Sequence, residues 1–229
     1  MPRLTWHGHS TFTLETDQGH RLLFDPFLDD NPRADVRVED VGALDYILIS
    51  HGHHDHFEDA IPLAKETGAT ILAIYEIAAF CESRGIRKTR GLNIGGGARF
   101  PFGYARMTPA LHSGQVAGDE SGRHTAPAAG WWLDLIGGKR LYHAGDTALM
   151  TDMQLLKGKV DVALLPIGDT YTMGPGEAAR AVELIEPRVV IPMHYSTWDE
   201  IEQDPNAFRD LVGDRAEVVI LDPGDSYNF

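Results

Sequence analysis

Residues 50–57 read SHGHHDHF, four histidines and an aspartate within eight positions. The run follows LDYILIS (44–50), a short apolar stretch bounded by polar residues, so the imidazoles fall where a buried strand gives way to a loop. His51, His53 and Asp55 recur at every second position, which in extended backbone aims side chains to one side, and His56 falls where a helix should begin. Imidazoles and a carboxylate at this density are ligands for divalent cations, and the set is large enough to begin two adjacent sites. A merely solvated polar loop is a poor alternative, because the cluster is internal and directly follows an apolar strand.

Two sites need more ligands than one stretch provides, since a catalytic zinc takes three protein ligands and leaves a position open. Three further candidates sit where an apolar run passes into a loop: His112 in TPALHSG, Asp146 in LYHAGDT and His194 in VIPMHYS. Strand ends along one edge of a sheet are where side chains distant in sequence converge. Sulfur is excluded from such a site, because Cys81 is the only cysteine; a disulfide framework is excluded for the same reason.

The composition, 43% hydrophobic and 24% charged, is that of a chain with a packed core, and 229 residues are read as one domain spanning 1–229. With 34 acidic against 20 basic residues the net charge is −14, a field that repels polyanions, and no long Lys/Arg run offers a basic groove. Nucleic acid is therefore not expected as a partner; a small molecule is. The start, MPRLTWHGHSTF, lacks the pattern of a secretion signal and no segment has the length of a membrane span, so the expected compartment is the cytoplasm.

RLLFDPFL, LDYILIS, DVALLPIG and RVVIPMHY read as strands, and EDAIPLAKETGA, YEIAAFCESRG and GPGEAARAVELIE as helices. Residues 89–111 suggest antiparallel strands and turns, WWLDLIGG and KRLYHAGDT a hairpin through Gly137-Gly138, and AEVVILDPG a closing strand. Ser113 to Gly130 has no periodic pattern, the mark of a binding loop or cover. LDYILIS and VDVALLPIG each lead through a polar loop to a helix, which hints at two similar halves, each a sheet with helices outside.

In chain order, H-x-H-x-D-H at 51–56, then His112, Asp146 and His194, the sequence resembles the metallo-β-lactamase superfamily. LTWHGHSTFTLET, LLFDPFL, LYHAGDT and the run from LLPIGDTYTMGPGEA to IPMHY resemble, within it, the UPF0173-like metal-dependent hydrolases. That family is related to ascorbate-6-phosphate lactonases and N-acylphosphatidylethanolamine phospholipases D. The resemblance implies an α/β fold, a four-layer αβ/βα sandwich of two mixed sheets with helices on the outer faces. It implies that His51, His53 and His112 hold one metal, that Asp55, His56 and His194 hold a second, and that Asp146 bridges them. Aspartate rather than cysteine at 146 argues against a secreted antibiotic-cleaving enzyme.

Around these ligands, Asp25 in FDPF is placed to fix the tautomer of a ligand histidine, with a turn aspartate as the plainer alternative. His9 in GHS is a candidate catalytic proton donor or substrate contact alongside Asp55, equally readable as a core histidine; His143 is read as structural, and His7 is left open. His124 in the 113–130 segment and Thr172, just before a helix, are candidate substrate contacts, with solvent exposure and helix capping as their alternatives. The implied reaction is hydrolysis of an ester bond by a hydroxide bridging two divalent ions, zinc by default and manganese or iron otherwise. A small phosphodiester is the first expectation and a phosphorylated sugar lactone the alternative. A metal-binding module without catalysis and a diiron redox enzyme are the competing classes.

Overall fold

The computed structural model describes residues 1–229. The first sheet is built from β1 (Arg3–Trp6), β2 (Phe12–Glu15), β3 (Arg21–Phe24), β4 (Tyr46–Leu48), β5 (Thr70–Ile74) and β6 (Thr89–Leu92). The second holds β7 (Gly97–Phe100), β8 (Gly103–Pro109), β9 (Ala129–Leu135), β10 (Arg140–His143), β11 (Val162–Pro166), β12 (Val189–Met193) and β13 (Glu217–Val218). The last strand, β14 (Ser226–Asn228), returns to pair with β1, giving the orders β14-β1-β2-β3-β4-β5-β6 and β13-β12-β11-β10-β9-β8-β7. Both sheets are mixed: antiparallel where hairpins connect the strands, parallel where a longer crossover intervenes. The helices are α1 (His54–Phe57), α2 (Ala60–Thr67), α3 (Tyr75–Ser83), α4 (Pro175–Ile185) and α5 (Pro205–Val212). This is the expected four-layer αβ/βα sandwich, and no helix is long and apolar enough to cross a membrane.

Burial follows the strand patterns. β11 and β12 are buried at every position, as parallel strands covered on both faces must be, and their sequences are unbroken apolar runs. One cluster of buried apolar side chains includes members of both sheets, from Leu4, Phe12 and Ile47 to Trp131, Leu164 and Ile191, so the halves share a core.

The structure departs from the sequence reading in three places. Thr70–Ile74, left between two helices, is the buried strand β5. Thr89–Leu92 pairs with β5 in parallel, not antiparallel, because α3 carries the chain across before it returns. AEVVILDPG contributes only Glu217–Val218 to the second sheet before the chain crosses to the first.

The sheets are fastened together at one end. Trp131 Nε1 in β9 donates to Ile49 O (3.1 Å) beyond β4, and Ala129 N donates to Ser50 O (3.1 Å). His143 in β10 donates from Nε2 to Ser10 O (3.0 Å), accepts from Gly145 N at Nδ1 (3.2 Å) and stacks on Phe24, with ring centroids 5.1 Å apart. His194 N donates to His9 O (2.9 Å). Trp131→Phe keeps most of the apolar volume but strands the Ile49 carbonyl, and should cost about 2 kcal/mol of unfolding free energy. A urea titration with unchanged slope and a lower midpoint is the expected result.

Candidate metal centre

The fastened end is where the predicted ligands meet. His51 and His53 follow β4, Asp55 and His56 lie in the single turn of α1, His112 follows β8, Asp146 follows β10 and His194 follows β12 directly. His9, in the β1–β2 turn, is brought to the same place. His9, Asp25 and His194 all have positive φ (52°, 43° and 54°), a conformation that non-glycine residues adopt at a cost and that concentrates at functional sites.

Two groups of side chains converge. In the first, His53 Nδ1 lies 3.1 Å from His51 Nε2 and 3.3 Å from His112 Nε2. In the second, His9, Asp55, His56 and His194 each present one ligand atom within a common 4.8 Å. Asp146 reaches both: Oδ2 is 4.0 Å from His51 Nε2, 3.7 Å from His112 Nε2 and 3.0 Å from His194 Nε2, while Oδ1 is 3.3 Å from His56 Nε2. Asp55 Oδ2 stands 3.7 Å from both His56 Nε2 and His194 Nε2.

Hydrogen bonds fix which nitrogen of each ring is bare. Asp25, fully buried, accepts from Ser50 N (2.7 Å) at Oδ1, and from Ser50 Oγ (2.6 Å) and His56 Nδ1 (2.8 Å) at Oδ2. A carboxylate can only accept, so His56 carries a proton on Nδ1, and Nε2 is the nitrogen left to hold a metal. Ser50 Oγ, its proton given to Asp25, accepts from His51 Nδ1 (3.0 Å), which bares His51 Nε2 in the same way. His9 donates from Nε2 to Asp55 Oδ2 (3.1 Å), and its Nδ1 receives the Thr197 hydroxyl (2.7 Å).

Bare nitrogens facing one another repel unless a cation lies between them. His56 Nε2, Asp146 Oδ1 and both His194 nitrogens are buried without a hydrogen-bond partner, and the 3.0 Å approach of His194 to Asp146 lacks hydrogen-bond geometry. Such orphaned polar atoms are costly in a dry interior. A tetrahedral metal with bonds of about 2.0–2.1 Å to nitrogen separates its ligands by about 3.3 Å, and the distances within both groups bracket that figure. The donor set thus fits divalent metal.

Without metal the charges sort by burial and neighbours. Burial lowers His51 well below the usual histidine range, with His56 adding to the effect, and lowers His53 and His112 as well. Burial brings His9 down to about 3, with His194 contributing. Burial works against the charged forms of His56 and His194, but Asp146 and Asp55 outweigh it, raising His56 well above its usual range and His194 to about 9. Asp146 and Asp55 are held below the carboxylate range by these imidazoles despite their burial.

The cluster forms the floor of a cleft of about 770 Å³ whose walls include part of the 113–130 segment. Val116 lies against Gly52, where an added Cβ would meet Val116 Cα at 2.8 Å, and Ala117 N donates to Gly52 O (2.7 Å). Of the two candidate substrate contacts, neither lines the cleft. His124 is turned to its own loop, with N and Nδ1 on Asp119 Oδ2 (2.7 and 3.1 Å) and its ring against Phe80; Thr172 Oγ1 donates to Met173 O (3.2 Å). Tyr171, Trp198 and Glu200, none of them singled out from sequence, line it instead. Tyr171 stands beside Thr172 in the stretch before α4; Trp198 and Glu200 had no signal beyond closeness to His194. His7 lies away from the cluster, bonded to Asp35 (2.8 Å) and Thr13 (2.8 Å).

Residues 20–195 match the model of the beta-lactamase superfamily domain. The chain is 44% identical to a UPF0173 metal-dependent hydrolase of Heliobacterium modesticaldum, over 99% of this chain and 97% of the relative. It is 45% identical to another from Methanopyrus kandleri, over 98% and 99%. Among solved structures it is similar to Igni18, a metallo hydrolase of the archaeon Ignicoccus hospitalis, with a TM-score of 0.89, 36% identity and coverage of 100% and 99%. Fold, convergent His/Asp clusters and whole-length similarity agree: the chain belongs to the UPF0173 metal-dependent hydrolases of the beta-lactamase superfamily.

Proposed function

We propose that residues 1–229 act as a single domain that binds two divalent cations and hydrolyses an ester bond in a small substrate. The observation that carries this is the shared carboxylate: Asp146 turns one oxygen to His51, His112 and His194 and the other to His56. His51, His53 and His112 would hold one cation, Asp55, His56 and His194 the other, and Asp146 both. All donors are nitrogen or oxygen, which suits zinc, with manganese and iron(II) as alternatives. Divalent ions so bound lower the pKa of water and stabilise negative charge developing on the substrate.

The chain's own residues supply order and exclusion. Asp25 holds His56 directly and His51 through Ser50, so both rings arrive with the correct tautomer. His9, neutral at physiological pH, donates to Asp55 and fixes the carboxylate, which makes it a positioning residue more than a proton donor. The 113–130 segment covers one side of the cleft and limits it to compact substrates. No Lys or Arg lines that cleft. A phosphodiester or phosphorylated lactone would find no side-chain Lys or Arg there, so this lining favours an ester or lactone without a phosphate over the phosphodiester expected from sequence.

Chelation should abolish hydrolysis, and zinc or manganese should restore it, with elemental analysis giving two ions per chain; activity in verified metal-free protein would refute the reading. Asp146→Ala should lower metal content and kcat/KM together, by more than about 100-fold, whereas Asp25→Ala should cost about 10- to 100-fold. Metal uptake at neutral pH should release protons, because His194, raised to about 9, is protonated in the metal-free protein and must give up that proton to bind. Affinity should therefore rise with pH through about 9, with His56, also raised, adding to the proton release, and calorimetry in buffers of different ionisation enthalpy should show the release.

A further inference from the structure

The rim of the cleft differs from its floor. Besides Asp55 and Asp146, the cleft is lined by Asp119, Glu120 and Glu200, and by no Lys or Arg. Asp119 is occupied by its own loop, accepting from Ser121 Oγ (2.5 Å) and N (3.1 Å) and from His124 N (2.7 Å) and Nδ1 (3.1 Å). Glu120 and Glu200 are exposed, and their carboxylates enter no ion pair or hydrogen bond; Glu200 is engaged only through its backbone oxygen, which accepts from Thr170 Oγ1 (2.7 Å). That bond ties the turn bearing Tyr171 to Glu200. Tyr171 is 57% exposed, its ring open to the cleft that it lines. Trp198 stands two residues before Glu200, held against Phe27 and His9 with centroids 5.9 and 5.0 Å away. In the floor, buried His194 leaves Nε2 unpartnered within the same cleft.

Carboxylates beside open aromatic faces recognise alkylammonium groups: the ring face attracts the cation, and its methyl or methylene shell displaces water from the ring. The floor has the opposite preference once loaded, since two dications exceed the charge of Asp55 and Asp146. A substrate with an electron-rich carbonyl at one end and a cation at the other would be oriented by this gradient. Resting on the reading of the cleft as the active site of an ester hydrolase, we propose that the rim selects a compact ester or lactone bearing an alkylammonium group, held by Glu120 and Glu200 against Tyr171 and Trp198. The reaction consumes one water: its oxygen joins the carbonyl carbon, the carbon–oxygen bond to the leaving group breaks, and the departing oxygen takes one proton while the other leaves with the new carboxylic acid.

The test compares charge at constant shape in the metal-loaded protein. Calorimetry with choline and with its uncharged isostere 3,3-dimethylbutan-1-ol should give about tenfold tighter binding of choline at low ionic strength, a ratio that shrinks in high salt. In the Glu120→Gln, Glu200→Gln double variant the ratio should fall toward one. Equal binding of the two alcohols, or a choline preference that survives both substitutions, would overturn the proposal. The turnover arm uses the p-nitrophenyl esters of 4-(trimethylammonio)butyrate and 5,5-dimethylhexanoate, with kcat/KM expected to favour the first by about tenfold. Selective choline binding with neither ester cleaved would sink the ester-hydrolase reading and leave the rim's selectivity standing. Equal cleavage of both esters with no choline preference would do the reverse.

Discussion

The carboxylate of Asp25 organises the site without facing the cleft. Fully buried beyond the end of β3, it gathers the Ser50 amide, the Ser50 hydroxyl and His56 Nδ1. Through Ser50 it also governs His51. One side chain therefore determines which nitrogen is bare on two imidazoles and fixes the backbone at the start of the histidine run. Its position is possible only because Asp25 accepts a left-handed φ of 43°, secured by Thr11 Oγ1 donating to its carbonyl (2.7 Å) and its own N–H donating to Leu48 O (3.0 Å).

The same region joins the sheets. Bonds from Trp131 to Ile49, Ala129 to Ser50, His143 to Ser10 and His194 to His9 all cross from the second sheet to the first within a few residues of the cluster. The two metal-binding groups draw on both sheets, so their separation is set by how the sheets dock. Asp146, carried by the second sheet, reaches across to His51 and His56 of the first. A core shared between the sheets keeps that reach constant.

Charge is arranged in layers above this frame. The floor gathers imidazoles and two carboxylates whose unpartnered atoms call for cations, and the rim carries free carboxylates and aromatic faces with no Lys or Arg. A net charge of −14 already disfavours long polyanions.

The sequence by itself determined most of the fold and the membership of the candidate cluster. Apolar runs of strand length, glycine stops and the H-x-H-x-D-H spacing are local, and a ligand placed where a strand ends is visible without knowing its neighbours. The short strand β5 was hidden because TILAI between two helices has no alternation to mark it, and parallel burial removes the alternation by which strands are usually read. Only the tertiary structure decided the rest. It chose His56, 31 positions away, as the histidine that Asp25 holds, and linked His51 to Asp25 through Ser50, which no spacing rule encodes. It set His9 on Asp55, kept His124 and Thr172 out of the cleft, and brought Tyr171, Trp198 and Glu200 to its rim. Ligand identity is a property of residue type and local backbone, whereas tautomer, partner and exposure depend on how the two sheets pack, and that packing is carried by contacts distant in the chain.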